Sequence, residues 1–155
     1  MKKQLPYISI GLGIALVVAF LAVLDIYDTI EHKFLDMRFN SRGLIDTRDD
    51  IATLDEKFVY SDGSKSSRVW KLKKIGSNQF EGTAGDVEGV AVGETAGNAF
   101  YFVYDLNLPV DDTTYVINFE DWMFLMDENT LLSRSYMSKW GFDVGEVTLV
   151  MTKTL

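Results

Sequence analysis

The stretch AFYFVYDLNL, residues 99–108, sets Phe100, Phe102, Tyr104, Leu106 and Leu108 at every second position. Alternate side chains of a β-strand point to opposite faces, so this spacing predicts a strand with one wholly apolar face. Thr113 to Asp121 repeats the pattern with Tyr115, Ile117 and Phe119, and Pro109 to Asp112 falls between them as a turn. The same period extends outward. Phe58-Val59-Tyr60 and Arg68 to Ile75 flank an Asp62-Gly63 turn signal and predict a hairpin. Gln79 to Thr83 is a short strand after the Gly76-Ser77-Asn78 turn, and the glycine-rich Gly85 to Asn98 is a loop or a strongly bent strand. Beyond the turn at Asp127 to Asn129, Thr130 to Met137 and Val144 to Thr152 complete the pattern, the last burying Val147, Leu149 and Met151. From Leu54 onward the chain is therefore mostly β, with about seven antiparallel strands and tight turns, which suits a sandwich or a barrel.

The other end of the chain is different in kind. Leu5 to Leu24 reads LPYISIGLGIALVVAFLAVL, without a charge. A run of about 20 apolar residues makes roughly 30 Å of helix, the thickness of a bilayer's hydrocarbon core. Residues 1–24 are thus expected to be an uncleaved transmembrane anchor. Ala19 and Ala22 do not form an A-x-A cleavage pattern, and bulky Phe20 lies two before Ala22. Lys2 and Lys3 precede the run, while Asp25, Asp28 and Glu31 follow it, so the positive-inside bias places the N-terminus in the cytoplasm. Asp25 to Asn40 is expected to extend the helix into water on Ile26, Ile30, Phe34 and Met37, and to stop at Ser41-Arg42-Gly43. Leu44 to Thr53 reads as a linker, so residues 25–53 form a juxtamembrane segment and 54–155 the β domain.

The 155 residues carry a formal net charge of −8, which argues against nucleic acid as a partner. With no cysteine, disulfides, thiol catalysis and thiolate metal sites are excluded together.

The blocks TLDEKFVYSDG, SRVWKL, FEGTAGDVEGVAVGETAGNA, INFEDWMFLMDENTLLSRSYMSKWG and VGEVTLVM, between about Thr53 and Lys153, resemble a bacterial envelope family, the domain of unknown function numbered 3833. That resemblance implies a lipocalin-like β-barrel held at the envelope, usually as a lipoprotein, and implies no functional residue. The lipoprotein cysteine has no counterpart here, and Asn40 to Asp50 does not follow the family's first strands. Glu31, Lys33, Leu35, Asp36, Arg38 and Phe39 are instead similar to the opening helix of the second CHASE-type extracellular sensor domain, which also follows a membrane span. The two resemblances together read the chain as a join of two fragments. A barrel deprived of its first strands would be incomplete and would leave open edges.

Few residues carry chemistry. His32 is the only histidine and shares a helix face with Asp28, a pattern that suits a solvated surface better than a catalytic or metal site. The pairs Asp111-Asp112, Glu120-Asp121 and Asp127-Glu128 lack EF-hand spacing, and two of them fall at turns, where acidic residues are ordinary. Gly85 to Asn98 lacks the phosphate-loop pattern, so its glycines point to bent backbone or to close strand crossing. Lys65, Arg68, Lys71, Lys73 and Lys74 read as the wet face of an edge hairpin. Arg134 shares a strand face with Leu132 and Tyr136, and facing inward it would grip the carboxylate of a fatty-acid-like ligand.

The expected function is therefore a membrane-tethered binding module outside a bacterial inner membrane, in the periplasm or beyond, without catalysis, metal or cofactor. Phe100, Phe102, Tyr104, Tyr115, Ile117 and Phe119 would line or fill an interior that takes an apolar or amphiphilic molecule such as lipid, with Arg134 at its head. The alternative is a structural module that pairs with another envelope protein through an open sheet edge near Phe58 to Tyr60.

Overall fold

The computed structural model describes residues 38–46, 51–60, 63–110 and 112–152. The expected anchor at Leu5 to Leu24, the helix over Asp25 to Met37, and His32 lie outside the described residues. No helix among the described residues is long and apolar enough to cross a membrane.

The described chain is one antiparallel sheet in which every strand pairs with its neighbours in sequence. Its strands are β1 (Arg38–Asp46), β2 (Ile51–Val59), β3 (Lys65–Lys74), β4 (Gln79–Thr83), β5 (Val87–Ala96), β6 (Ala99–Val110), β7 (Thr113–Leu125), β8 (Thr130–Lys139) and β9 (Phe142–Thr152). The period-two reading from Leu54 onward holds, and Gly85 to Asn98 takes the bent-strand form. Its bend is a register shift between Glu88 and Val92, where Gly89 adopts a φ of 67° that a side chain would resist.

Two expectations are corrected at the start of the sheet. Arg38 to Asn40 is strand rather than helix, and Ser41-Arg42-Gly43 continues it rather than ending a helix. The expected linker contributes Leu44 to Asp46 to β1 and Ile51 to Thr53 to β2. The hairpin registers Phe39 with Phe58 and Arg38 with Val59, so the edge expected near Phe58 to Tyr60 is covered by β1.

The sheet curls into a half-barrel. Trp70 of β3 lies 5.0 Å, centroid to centroid, from both Phe102 and Tyr104 of β6, although β4 and β5 stand between those strands in the ladder. Sheet twist and the two register shifts, at Glu88/Val92 and Met137/Ser138, supply the curvature. The concave side holds the core: Trp70, Phe102, Leu106, Ile117, Met137 and Val144 are all buried. It also contains Gly82 and Gly93, over which the β6 rings lie. A Cβ built on Gly93 would come within 2.7 Å of Phe100 and 2.9 Å of Phe102, and one on Gly82 within 2.5 Å of Phe102. These glycines are the close approach that the glycine-rich stretch suggested. Gly93→Ala therefore forces aromatic rings off their positions. It should lower stability by about 1–3 kcal/mol, read as a lower urea midpoint at unchanged m-value.

Among the described residues, the turn joining β8 to β9 is the one place where a side chain sits in left-handed backbone. Trp140 has φ 53° and Gly141 φ 81°, between the paired Lys139 and Phe142. Positive φ at both central positions is the two-residue hairpin turn that prefers Asn-Gly. Trp140 is exposed, and the Lys139 ammonium lies 5.2 Å from its ring. Trp140→Asn should raise stability by about 0.5–1 kcal/mol, visible as a small rise in thermal midpoint.

Candidate functional site

Because residues alternate, each strand sends every second side chain into the concave face. β2 sends Leu54, Glu56 and Phe58, β3 sends Arg68, Trp70 and Leu72, and β6 sends Phe100, Phe102, Tyr104, Leu106 and Leu108. β7 adds Phe119, Asp121 and Met123, β8 adds Leu131, Ser133 and Ser135, and β9 adds Val147, Leu149 and Met151. They line a half-open cavity of about 1020 Å³. Its wall is mostly aromatic and aliphatic. Phe100 stacks on Phe102 at 5.3 Å, and Tyr104 stacks on Phe119 at 5.3 Å.

Of the residues expected to line the interior, Phe100, Phe102, Tyr104 and Phe119 do so. Tyr115 packs half-buried against the core, and Ile117 is fully buried within it; neither lines the cavity. Arg134 faces away from the interior. Its strand presents Leu131, Ser133 and Met137 inward, which leaves Arg134 on the outer face with Tyr136. There it pairs with Glu146 of β9 at 2.5 Å and bonds Thr148 at 3.2 Å. On β8 the guanidinium finds partners on the outer face, whereas that strand's inner positions carry serine and apolar residues.

The polar groups of the cavity are different ones. Arg68 reaches Asp86, in the turn between β4 and β5, through Nε and Nη2, each at 2.9 Å. Its Nη1 lies 3.7 Å from Glu56, and its guanidinium lies over the rings of Phe58 and Trp70. Across the cavity Tyr104 donates its hydroxyl to Asp121 Oδ2 at 2.8 Å. The other oxygen, Asp121 Oδ1, is buried without a hydrogen-bond partner among the described residues.

Burial governs the protonation of these groups. Glu56 is pushed up from 4.5 to about 7, first by desolvation and then by the charges of Asp121 and Asp86; Arg68 and a hydrogen bond from Trp70 oppose the rise. Asp121 is raised by burial too, against the hydrogen bonds of Ser135 and Tyr104 and the charge of Arg68. The Tyr104 hydroxyl is held well above its ordinary value by burial and by Asp121, so it stays a donor. By contrast, exposed Asp127 is lowered by the Asn129 backbone N–H, which lies 2.8 Å from its Oδ1, and so caps its own turn. Among the described residues no cluster of histidine, cysteine, aspartate and glutamate could hold a metal ion.

Glu56, Arg68, Trp70 and Asp86 were not expected in the site. Reading the basic stretch as one charged face merged two faces. Arg68 alternates with Trp70 and Leu72 and turns inward, while Lys71 and Lys73 remain exposed on the outer face. Period two was a usable signal for Arg68 and Glu56; for Asp86, in a turn, the sequence held none.

A family model described as "Protein of unknown function (DUF3833)" matches residues 25–153. Comparison with curated proteins and with solved structures gave no match.

Proposed function

The chain belongs to the DUF3833 family, and on that premise we propose that its half-barrel is a binding module for an amphiphilic small molecule such as a lipid. The match runs unbroken across the point where the sequence had suggested two joined fragments, and β1 and β2 pair there as one hairpin. What carries the reading is the cavity of about 1020 Å³, with its aromatic wall and a few convergent buried polar groups. Ligand sites of small molecules share this build: roughly 300–1,000 Å³, mainly apolar, with a handful of placed polar groups. The function is binding rather than catalysis, with no cofactor and no nucleic acid.

The uncharged run Leu5 to Leu24 and the lysines before it support an anchor in the inner membrane, the N-terminus cytoplasmic and the β domain in the periplasm or beyond. A domain held beside a bilayer and hollow on an apolar face is suited to taking up a bilayer component.

Native mass spectrometry of the full chain, gently extracted, tests this. The expected spectrum carries an extra mass that organic extraction releases as an amphiphile. Leu149→Trp, which puts a bulky ring into the cavity wall, should lose that mass while keeping the wild-type far-UV circular dichroism and a cooperative unfolding transition. A wild-type chain that consistently flies empty overturns the reading.

A second reading keeps one observation in its favour. β9 pairs only with β8 among the described residues, so its other edge is open to strand addition by a partner protein. A stable hetero-oligomer without bound amphiphile would favour it.

A further inference from the structure

The binding reading leaves open the head of the bound molecule, and the next inference rests on it. We propose that the polar part of the cavity receives a hydrogen-bond-donating head, a primary ammonium above all and a hydroxyl next, and disfavours a carboxylate or phosphate. Asp121 carries the inference. It is only 7% exposed, it lines the cavity, and its Oδ1 is buried outside hydrogen-bond geometry of any donor among the described residues, although the Ser135 hydroxyl on the facing strand is near enough to favour its charged form. An acceptor so placed costs free energy until a donor reaches it. Oδ2 is already satisfied by Tyr104, so that hydroxyl is committed and leaves Oδ1 as the free valence.

The charges around it point the same way. The carboxylates lining the cavity are Glu56, Asp86, Asp121 and Glu128, against the cations Arg68 and Lys65. Lys65 is exposed. Arg68 is occupied, with Nε and Nη2 both on Asp86 and Nη1 turned to Glu56. An anionic head would find no free guanidinium and would sit among acidic groups. An ammonium offers three N–H donors and the opposite charge, enough for Asp121 Oδ1 and the nearby Glu56. Its alkyl chain would lie along Phe100, Phe102 and Phe119.

Three ligands of equal tail length separate the possibilities. The full chain in nanodiscs is titrated at pH 7.5 with octylamine, 1-octanol and octanoate by calorimetry, with empty nanodiscs as blanks. Octylamine is expected to bind tightest, and octanoate at least about tenfold more weakly than octylamine. Asp121→Asn should weaken octylamine about tenfold and 1-octanol less than about threefold, because it removes the charge and keeps an acceptor. Octanoate binding as well as or better than octylamine overturns the head-group inference and leaves the cavity reading standing. Unchanged octylamine affinity in a folded Asp121→Asn chain overturns it too. Absence of binding by all three brings down the cavity reading and this one together. The wild-type ranking decides the matter even if the variant does not fold.

Discussion

Arg68→Met lowers the stability of the chain by about 3 kcal/mol at pH 8, and by distinctly less at pH 5. Removing one partner from a buried ion pair leaves the other charge without compensation, and such losses run to about 3–5 kcal/mol. The Arg68 side chain is 15% exposed and Glu56 12%, so neither gains much from water. Asp86, at 38%, can rehydrate and softens the effect. The pH dependence follows from Glu56. Arg68 is the group that holds the Glu56 carboxyl down against desolvation, and without it that carboxyl rises further. Below its raised value Glu56 is neutral in the folded chain, and little remains uncompensated. Urea unfolding at the two pH values checks this, and equal losses at both would refute the coupling. The double variant with Glu56→Gln should recover about 1–2 kcal/mol of the loss at pH 8, since it removes the stranded charge.

Glu56→Gln acts in the opposite direction. The folded-state value of about 7 lies above the ordinary 4.5, so between those values the folded chain holds a proton that the unfolded chain has released. Stability contributed by this group is full below about pH 4.5, falls as pH climbs toward 7, and is flat beyond. The shift corresponds to about 3 kcal/mol over that window. Glutamine is neutral throughout and still accepts from Trp70, so the variant should be about 2 kcal/mol more stable than wild type at pH 8 and nearly equal at pH 4.5. Asp121 is shifted in the same sense and leaves part of the slope in place. Denaturation midpoints measured from pH 4.5 to 8 read both effects. A variant less stable than wild type at pH 8 would mean that the Glu56 charge is favourable in place.

Much of this architecture was legible in alternation. Phe100 through Leu108 and Tyr115 through Phe119 mark their strands because one face of each is buried and the other is not. Gly63 and Asp127 to Asn129 fall at turns because their side chains or backbone suit them. The first strand was not legible. RFNSRGLID contains three charges and a glycine and has no alternating apolar set, so only its pairing with β2 makes it a strand. The site was half legible. Aromatic lining residues announce themselves by bulk and period, while buried charged residues resemble surface ones until their strand's inward face is fixed. Arg134 and Arg68 show the difference: each alternates with an aromatic, Tyr136 and Trp70, and only the curl of the sheet decides which pair goes inside.

The order of the strands has a consequence for how the chain is made. Each strand lies beside the one synthesised just before it. Hairpins can therefore zip up successively as polypeptide emerges, and no early segment must wait for a distant late one to complete its ladder. Loop-closure costs stay small at every step, which favours rapid assembly for an all-β domain. The exposed rim meanwhile moves forward with synthesis, from one newest strand to the next, and comes to rest on Phe142–Thr152.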